Sequence, residues 1–395
     1  MAGQIIKRGD NKYLVRVYLG REAGKKKYHN KTINGSKKDA EKYLRKVLRE
    51  RDLGEYIEPS KQLLSEYLDT WLETAVKIRV RDRTYRDYKE KVRLYIKPDL
   101  GNYNLQTLSP EHIQKLYNKM LDDGKSARTV RLTHAILKNA LKQAVKWGKT
   151  NKNPADLVDL PRQERKEMKV LTPDQAAAFL DAAVFDTWKA FFSLMLSSGM
   201  RPSEALALKW SDVDFKKKRV TVCRSLTRTA GGGWELQEPK TSRSRRTIPL
   251  PGAVIEDLQE LKQKQEKEAA ERKRVIQWNL KGKETAEKYN EYGFVFAAEN
   301  GEPMSDKNIY RRHFKPILRD AKLPEVRLYD LRHTCATLLL AAGENPKIVS
   351  ERLGHASITL TLDTYSHVLP DMQQAAVEKL EILLFNNQKG VPHNV

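Results

Sequence analysis

The chain has 395 residues, enough for two or three domains, and 39% of them are hydrophobic, enough to build real cores. Its net charge is +23, and the excess is uneven: residues 1–60 hold 16 Lys/Arg against 8 Asp/Glu and residues 61–160 hold 20 against 12, so +16 of the +23 lies in the first 160 residues. A polyanion is the expected partner, and nucleic acid is favoured over a membrane because no apolar run approaches the roughly 20 residues that span a bilayer; a basic surface kept for solubility is the plain alternative.

Met1-Ala2-Gly3-Gln4 opens no apolar signal segment, so the expected location is a reducing cytoplasm. Two cysteines, Cys223 and Cys335, make neither a disulfide framework nor a zinc site and read as small core residues. No phosphate-cradling Gly-Lys-Ser/Thr loop and no carboxylate cluster for paired metals stands in the sequence, so no cofactor and no metal are expected.

Residues 1–58 alternate as three strands do, with turns at Gly9-Asp10-Asn11 and Glu22-Ala23-Gly24. Ser36 then caps a helix over 37–51 that ends at Gly54. This predicts a small three-stranded sheet with one helix and a strongly basic sheet face, and a sheet can lie in the major groove and read base edges. Gly54 to Ser60 reads as a linker. Four helices are expected next, over 61–76, 83–96, 110–122 and 127–147, with breaks at Pro98, Ser109-Pro110 and Gly124. The last has apolar residues at Ile136, Leu137, Ala140, Leu141, Ala144 and Val145 and basic residues elsewhere. The charged run 161–167 lacks periodicity and reads as a second linker.

Thr172 and Pro173 then open a helix. A buried run, 190–196, ends in Ser198-Gly199-Met200-Arg201-Pro202-Ser203-Glu204, where Glu204 can hold the Arg201 guanidinium in place. Strands follow at 220–223, 235–240 and 246–250, and Gly231-Gly232-Gly233 reads as a hairpin tip. Residues 256–278 form a charged helix, Phe294-Val295-Phe296 a short buried strand, and Ser305-Asp306 a helix cap.

Residues 327–368 gather Arg332, His333, His355, Tyr365 and His367. Arg332 and His333 open a helix whose apolar run, 336–342, closes at Gly343; Asn345-Pro346 starts another that stops at Leu353-Gly354, and His355 follows that stop. An amphipathic helix over 372–385 and a polar tail complete the chain. Such a set suits attack on phosphorus: a tyrosine hydroxyl, with a free pKa of about 10, needs a base and cations to reach a phosphate. Arginine supplies the planar fork that grips two phosphate oxygens.

These residues closely resemble the catalytic box of the tyrosine recombinases, the phage-integrase family. Arg332-His333, Leu353-Gly354-His355 and Tyr365-Ser366-His367 match it, whereas Tyr329 stands where the family usually has its first histidine. The segment 198–212 resembles the family's first arginine motif, and Lys240, in Pro239-Lys240-Thr241-Ser242, its hairpin lysine. The resemblance implies a multidomain α+β chain: an arm-type DNA-binding domain over 1–58, a helical core-binding domain over 61–158, a mainly α catalytic domain with a small sheet and hairpin over 169–386, and a flexible tail over 387–395.

It further implies a site-specific recombinase that integrates and excises a mobile element. Tyr365 attacks a backbone phosphate of double-stranded DNA to give a 3′-phosphotyrosine, and Arg201 and Arg332 neutralise the transition state. His355 and either Tyr329 or His333 orient the phosphate and handle protons, Lys240 acts as general acid, and Glu204 and His367 support. Core and arm attachment sites, a homo-tetramer on DNA, and an excisionase or host DNA-bending protein are the implied partners. A type IB topoisomerase would use the same chemistry, but the basic front domain argues for defined sites; a metal-dependent transposase would need converging acids, and a non-catalytic regulator a decayed box.

Overall fold

The computed structural model describes residues 3–22, 24–54, 56–164, 168–229, 233–238, 245–278, 292–365, 377, 378, 380–382 and 384. The chain divides into two compact units, 1–165 and 166–395. Among the described residues no helix is long and apolar enough to cross a membrane.

The first unit opens with an antiparallel sheet in the order β1 (Gly3–Gly9), β2 (Lys12–Glu22), β3 (Lys25–Asn34). Alternation decides its two faces: Val15 and Val17, fully buried, point to one side and meet Ala40 and Val47 of α1 (Lys37–Asp52). Ser36 starts α1 with a reciprocal capping box to Asp39. The face turned away from α1 carries a cross-strand row in which Gln4 pairs with Arg16 and Arg16 with Asn30, and the Arg16 guanidinium stacks 4.0 Å over the Tyr28 ring.

A separate helical core follows, built from α2 (Leu64–Trp71), α3 (Asp82–Lys91), α4 (Lys97–Leu100), α5 (Pro110–Asp122) and α6 (Ala127–Lys146). Its centre holds Tyr67, Leu68, Trp71, Tyr117 and Leu137, none more than 2% exposed. Pro98 does not break the chain as expected. A π-helical turn over Val92–Ile96 joins α3 to α4, and this wider turn accommodates the proline ring that would clash with the carbonyl four residues back in a regular helix.

The second unit is mainly helical. Its core surrounds α8 (Lys189–Ser198), in which Phe191, Phe192, Leu194 and Met195 are fully buried, as expected of a helix apolar on all sides. Around it pack α7 (Pro173–Ala182), entered through a Thr172–Gln175 capping box, α9 (Pro202–Ala205), α10 (Gly252–Trp278), α11 (Asp306–Ile309), α12 (Lys315–Asp320) and α13 (Asp330–Ala341). One small sheet has the order β4 (Val213–Asp214), β5 (Arg219–Val222), β8 (Arg246–Pro249); a hairpin pairs β6 (Ser225–Arg228) with β7 (Trp234–Gln237). Residues 294–296 do not form the expected strand: Phe294 makes a single bridge to Lys209, and Ala297 one to Pro303. The helices α14 (Pro346–Leu353) and α15 (Ile358–Tyr365) end the continuously described chain. Lys240, His367, most of the helix expected over 372–385 and the tail lie outside the described residues.

Candidate active site

Three chain reversals set the site. The first is Gly199, which ends α8 in a left-handed turn (φ 64°). A Cβ there would stand 2.6 Å from Leu353 Cδ2, so only glycine fits, and the chain leaves the helix with Arg201 at the start of α9. The second is the short approach to α13, where buried Asp330 accepts bonds from the Arg327 backbone N (2.7 Å) and from its guanidinium. This arrangement positions Tyr329, Arg332 and His333 over the first turn. The third is Gly354, left-handed at φ 68°, which ends α14 and releases His355. A Cβ on Gly354 would lie 2.9 Å from Arg246 Nη1.

A buried carboxylate organises the cations. Glu204, whose side chain is 7% exposed, receives Arg201 Nη1 at 2.7 Å and Arg246 Nη2 at 2.8 Å. Burial alone would raise the Glu204 pKa, but the hydrogen bond and charge of Arg246, then Arg201, outweigh it and hold the carboxyl below its ordinary value. Arg201 shows the counterpart: burial works against its charge, yet the Glu204 carboxylate and a hydrogen bond that Arg201 donates to the Tyr329 oxygen raise its pKa. The second Arg246 contact, Nε to the Arg352 carbonyl at 2.6 Å, ties β8 to the end of α14 just ahead of His355.

Arg332 is 1% exposed. Its Nη1 donates to the Gly199 carbonyl at 2.7 Å, while its buried Nη2 has no hydrogen-bond partner among the described residues. Burial, then the Arg201 charge, lower its pKa to about 10, so it remains cationic at neutral pH. His355 stands among the same cations. Its Nδ1 lies 2.8 Å from the buried Thr361 hydroxyl, and burial followed by Arg332 and Arg201 lowers its pKa to about 4. Tyr365 closes the group: it is 1% exposed, its hydroxyl is 2.9 Å from His333 Nδ1, and burial raises its pKa against the pull of Arg332.

Thus Arg201, Glu204, Tyr329, Arg332, His333, His355 and Tyr365, all read from the sequence as candidates, meet in one cluster. Two participants were not read from the sequence. Arg246 alternates with Ile248 on β8 and with Leu250 just beyond it, so it shares their inward face, an alternation visible in the sequence, and its side chain is 7% exposed. Thr361 lies four residues before Tyr365, hence on the same face of α15.

Removing Arg246 takes away both its bond to Glu204 and its tie to the Arg352 carbonyl. Arg246→Met leaves Glu204 buried with one partner and should cost roughly 3–5 kcal/mol; urea unfolding checks this, and an unchanged midpoint would show that the triad carries no stability. The imidazole of His355 gives a pH effect. Its folded pKa of about 4 lies below the ordinary histidine value, so between the two the fold binds fewer protons than the unfolded chain, and stability is lost as pH falls through that window. His355→Gln should flatten the loss seen in melting temperatures of DNA-free protein between about pH 6.5 and 4; parallel curves for both proteins would refute the assignment.

A tyrosine hydroxyl, two arginines and two imidazoles of lowered pKa gathered in one cluster have the chemistry to move a phosphoryl group onto tyrosine. The sequence carries the matching relationship: residues 169–372 match the model of the phage integrase family, and residues 63–121 that of the phage integrase N-terminal SAM-like domain. The chain belongs to the phage integrase family. It is 30% identical to a XerC-like tyrosine recombinase of Caldanaerobacter subterraneus subsp. tengcongensis, over 96% of this chain and 98% of that one. It is 26% identical to the ICEBs1 integrase of Bacillus subtilis, over 82% of each. Among solved structures, the Tn1549 transposon integrase in complex with transposon right end DNA is 25% identical and matches with a TM-score of 0.66, over 81% of this chain and 99% of that one. A lambda integrase tetramer bound to a Holliday junction, 18% identical with a TM-score of 0.56 over 90% and 96% of the two chains, shares the fold.

Proposed function

We propose that the chain is the site-specific recombinase of a mobile element, which cuts and rejoins double-stranded DNA through a 3′-phosphotyrosine. The observation that carries this reading is Arg332, a buried cation beside a second arginine and with one donor that has no partner among the described residues. Such an arrangement is unfavourable until an anion arrives, since buried donors and like charges cost free energy unless compensated. A scissile phosphate compensates both. Arg201 and Arg332 would then hold its non-bridging oxygens through charge-assisted bonds, and His355, with Nδ1 engaged by Thr361, would offer Nε2 to a third contact. Tyr365 is the nucleophile, and Lys240 is assigned the leaving-group proton by family resemblance. Incubating the protein with duplex DNA from the ends of its element should give a denaturation-resistant protein–DNA adduct; its absence from DNA that the protein binds would overturn the reading.

The domain plan extends the proposal. The helical core over 61–158 would clamp the core site, 169–386 would catalyse, and the sheet domain over 1–58 would hold arm sites. Gln4, Arg16 and Asn30 in one row on the sheet face away from α1 support this, because such side chains read base edges in a major groove. Assembly as a tetramer on DNA, with an accessory directionality protein, fits the same reading. An isolated fragment of residues 1–58 is expected to bind a DNA segment distinct from the core site with steep salt dependence. A footprint no larger for the full chain than for a chain starting at Ser60 would reassign this domain to protein contacts.

A further inference from the structure

Tyr365 cannot bond to phosphorus without giving up its proton, and its buried hydroxyl resists ionisation. The site offers few acceptors. Glu204 has both oxygens engaged by Arg201 and Arg246, and Asp330 both engaged by Arg327. His355 turns Nδ1 to Thr361, and Tyr329 is a phenol bonded to Arg201. The one basic atom at hydrogen-bond distance from the Tyr365 hydroxyl, among the described residues, is His333 Nδ1 at 2.9 Å. Helix geometry holds it there: His333 sits in the first turn of α13, its ring is flanked by the rings of Tyr329 (5.3 Å between centroids) and Tyr365 (5.8 Å), and buried Asp330 stands three residues back.

We propose that His333 is the general base of the cleavage step, a deepening that rests on Tyr365 being the nucleophile. As the Tyr365 oxygen bonds to phosphorus, its proton passes to His333 Nδ1. The phosphorus–5′-oxygen bond breaks with its electron pair, and the 5′-oxygen takes a proton from the general acid. On rejoining, the 5′-hydroxyl attacks phosphorus and gives its proton back to the group that supplied it, while the phosphorus–tyrosine bond breaks and His333 returns its proton to the departing Tyr365 oxygen. Two features suit the task. Burial, with the charges of Arg332 and Arg327, lowers the His333 pKa and leaves the ring neutral and able to accept, while Asp330 acts in the opposite direction and favours the imidazolium that forms. The acceptor is also already in contact with the hydroxyl, so no reorganisation precedes transfer.

The test is single-turnover adduct formation on duplexes from the ends of the element, made with a normal scissile phosphate and with sulfur in place of the bridging 5′-oxygen. A thiolate leaves without an acid, so the sulfur substrate rescues loss of an acid and not loss of a base. His333→Asn places an oxygen near the position of Nδ1 that can accept the hydroxyl's hydrogen bond but cannot take the proton. It is expected to bind DNA normally and to slow adduct formation about 10²–10³-fold on both substrates. A rate close to wild type, or a loss restored by sulfur, overturns the proposal in favour of a positioning or acid role. His333→Ala provides a second arm: added imidazole should restore its adduct formation at least about tenfold, and a folded, DNA-binding variant that imidazole leaves unchanged counts against the base. Tyr365→Phe on the same DNA separates the two readings, since an adduct there removes the nucleophile assignment itself, whereas no adduct there with a fully active His333→Asn removes only the base.

Discussion

Tyr365→Phe is expected to abolish covalent adduct and recombinant product altogether while leaving folding and DNA binding nearly intact. The substitution removes one oxygen from a side chain that is 1% exposed and packed with Ala336, Leu340, Val349 and Leu353, so the ring keeps its place. What is lost besides the nucleophile is the contact with His333 at 2.9 Å, worth about 1 kcal/mol for a typical buried hydrogen bond. Stability should fall by no more than a few degrees, and the site keeps both arginines, so affinity for DNA should not change measurably. Chemistry has no substitute, because a phenyl ring offers no oxygen to phosphorus. Electrophoresis of denatured reactions checks the outcome, and any adduct from the Phe protein would move the nucleophile elsewhere.

The parts of the site that follow from local chain chemistry were legible in the sequence. Asn345-Pro346 and Gly354 mark the ends of α14 through capping and a left-handed residue, so the exit of His355 from a helix could be read without a structure. The pairing of Arg201 with Glu204 follows from a spacing of three at a helix start. Distant partnerships were harder to read. That Arg246, on a strand, shares Glu204 with Arg201 and reaches the Arg352 carbonyl depends on how β8 packs against α14, and no local pattern names those partners. The π-helical turn at Val92–Ile96 shows the same limit, since a proline reads as a break unless a wider turn precedes it. The hairpin strand β6, with Leu226 as its only apolar residue, offered no run to recognise. Likewise, the match of Tyr365-Ser366-His367 to the family's catalytic box marked Tyr365 as the nucleophile but not that the fold buries its hydroxyl against His333.

Arg332→Met should move stability and catalysis in opposite directions. The DNA-free protein holds this guanidinium with 1% of its surface exposed, beside the Arg201 charge, with Nη2 unpaired among the described residues. Methionine fills a similar length without charge or donors, and it gives up one hydrogen bond, from Nη1 to the Gly199 carbonyl at 2.7 Å. Replacing buried charge by apolar volume is commonly neutral or stabilising by about 1–4 kcal/mol, which corresponds to a rise of a few degrees in melting temperature for a domain of this size. Cleavage should fall at least 10²–10³-fold, the usual effect of losing one preorganised transition-state contact, while site binding, spread over many basic residues of the first 160, should change little. Arg332→Lys distinguishes charge from geometry: it keeps a cation but loses the fork, so cleavage should fall nearly as far without a gain in stability. Thermal melts of the DNA-free proteins and single-turnover cleavage at saturating protein measure both effects. If Arg332→Met melts well below wild type, the guanidinium contributes to the fold as it stands, and its unpaired donor is not being held in reserve for a phosphate.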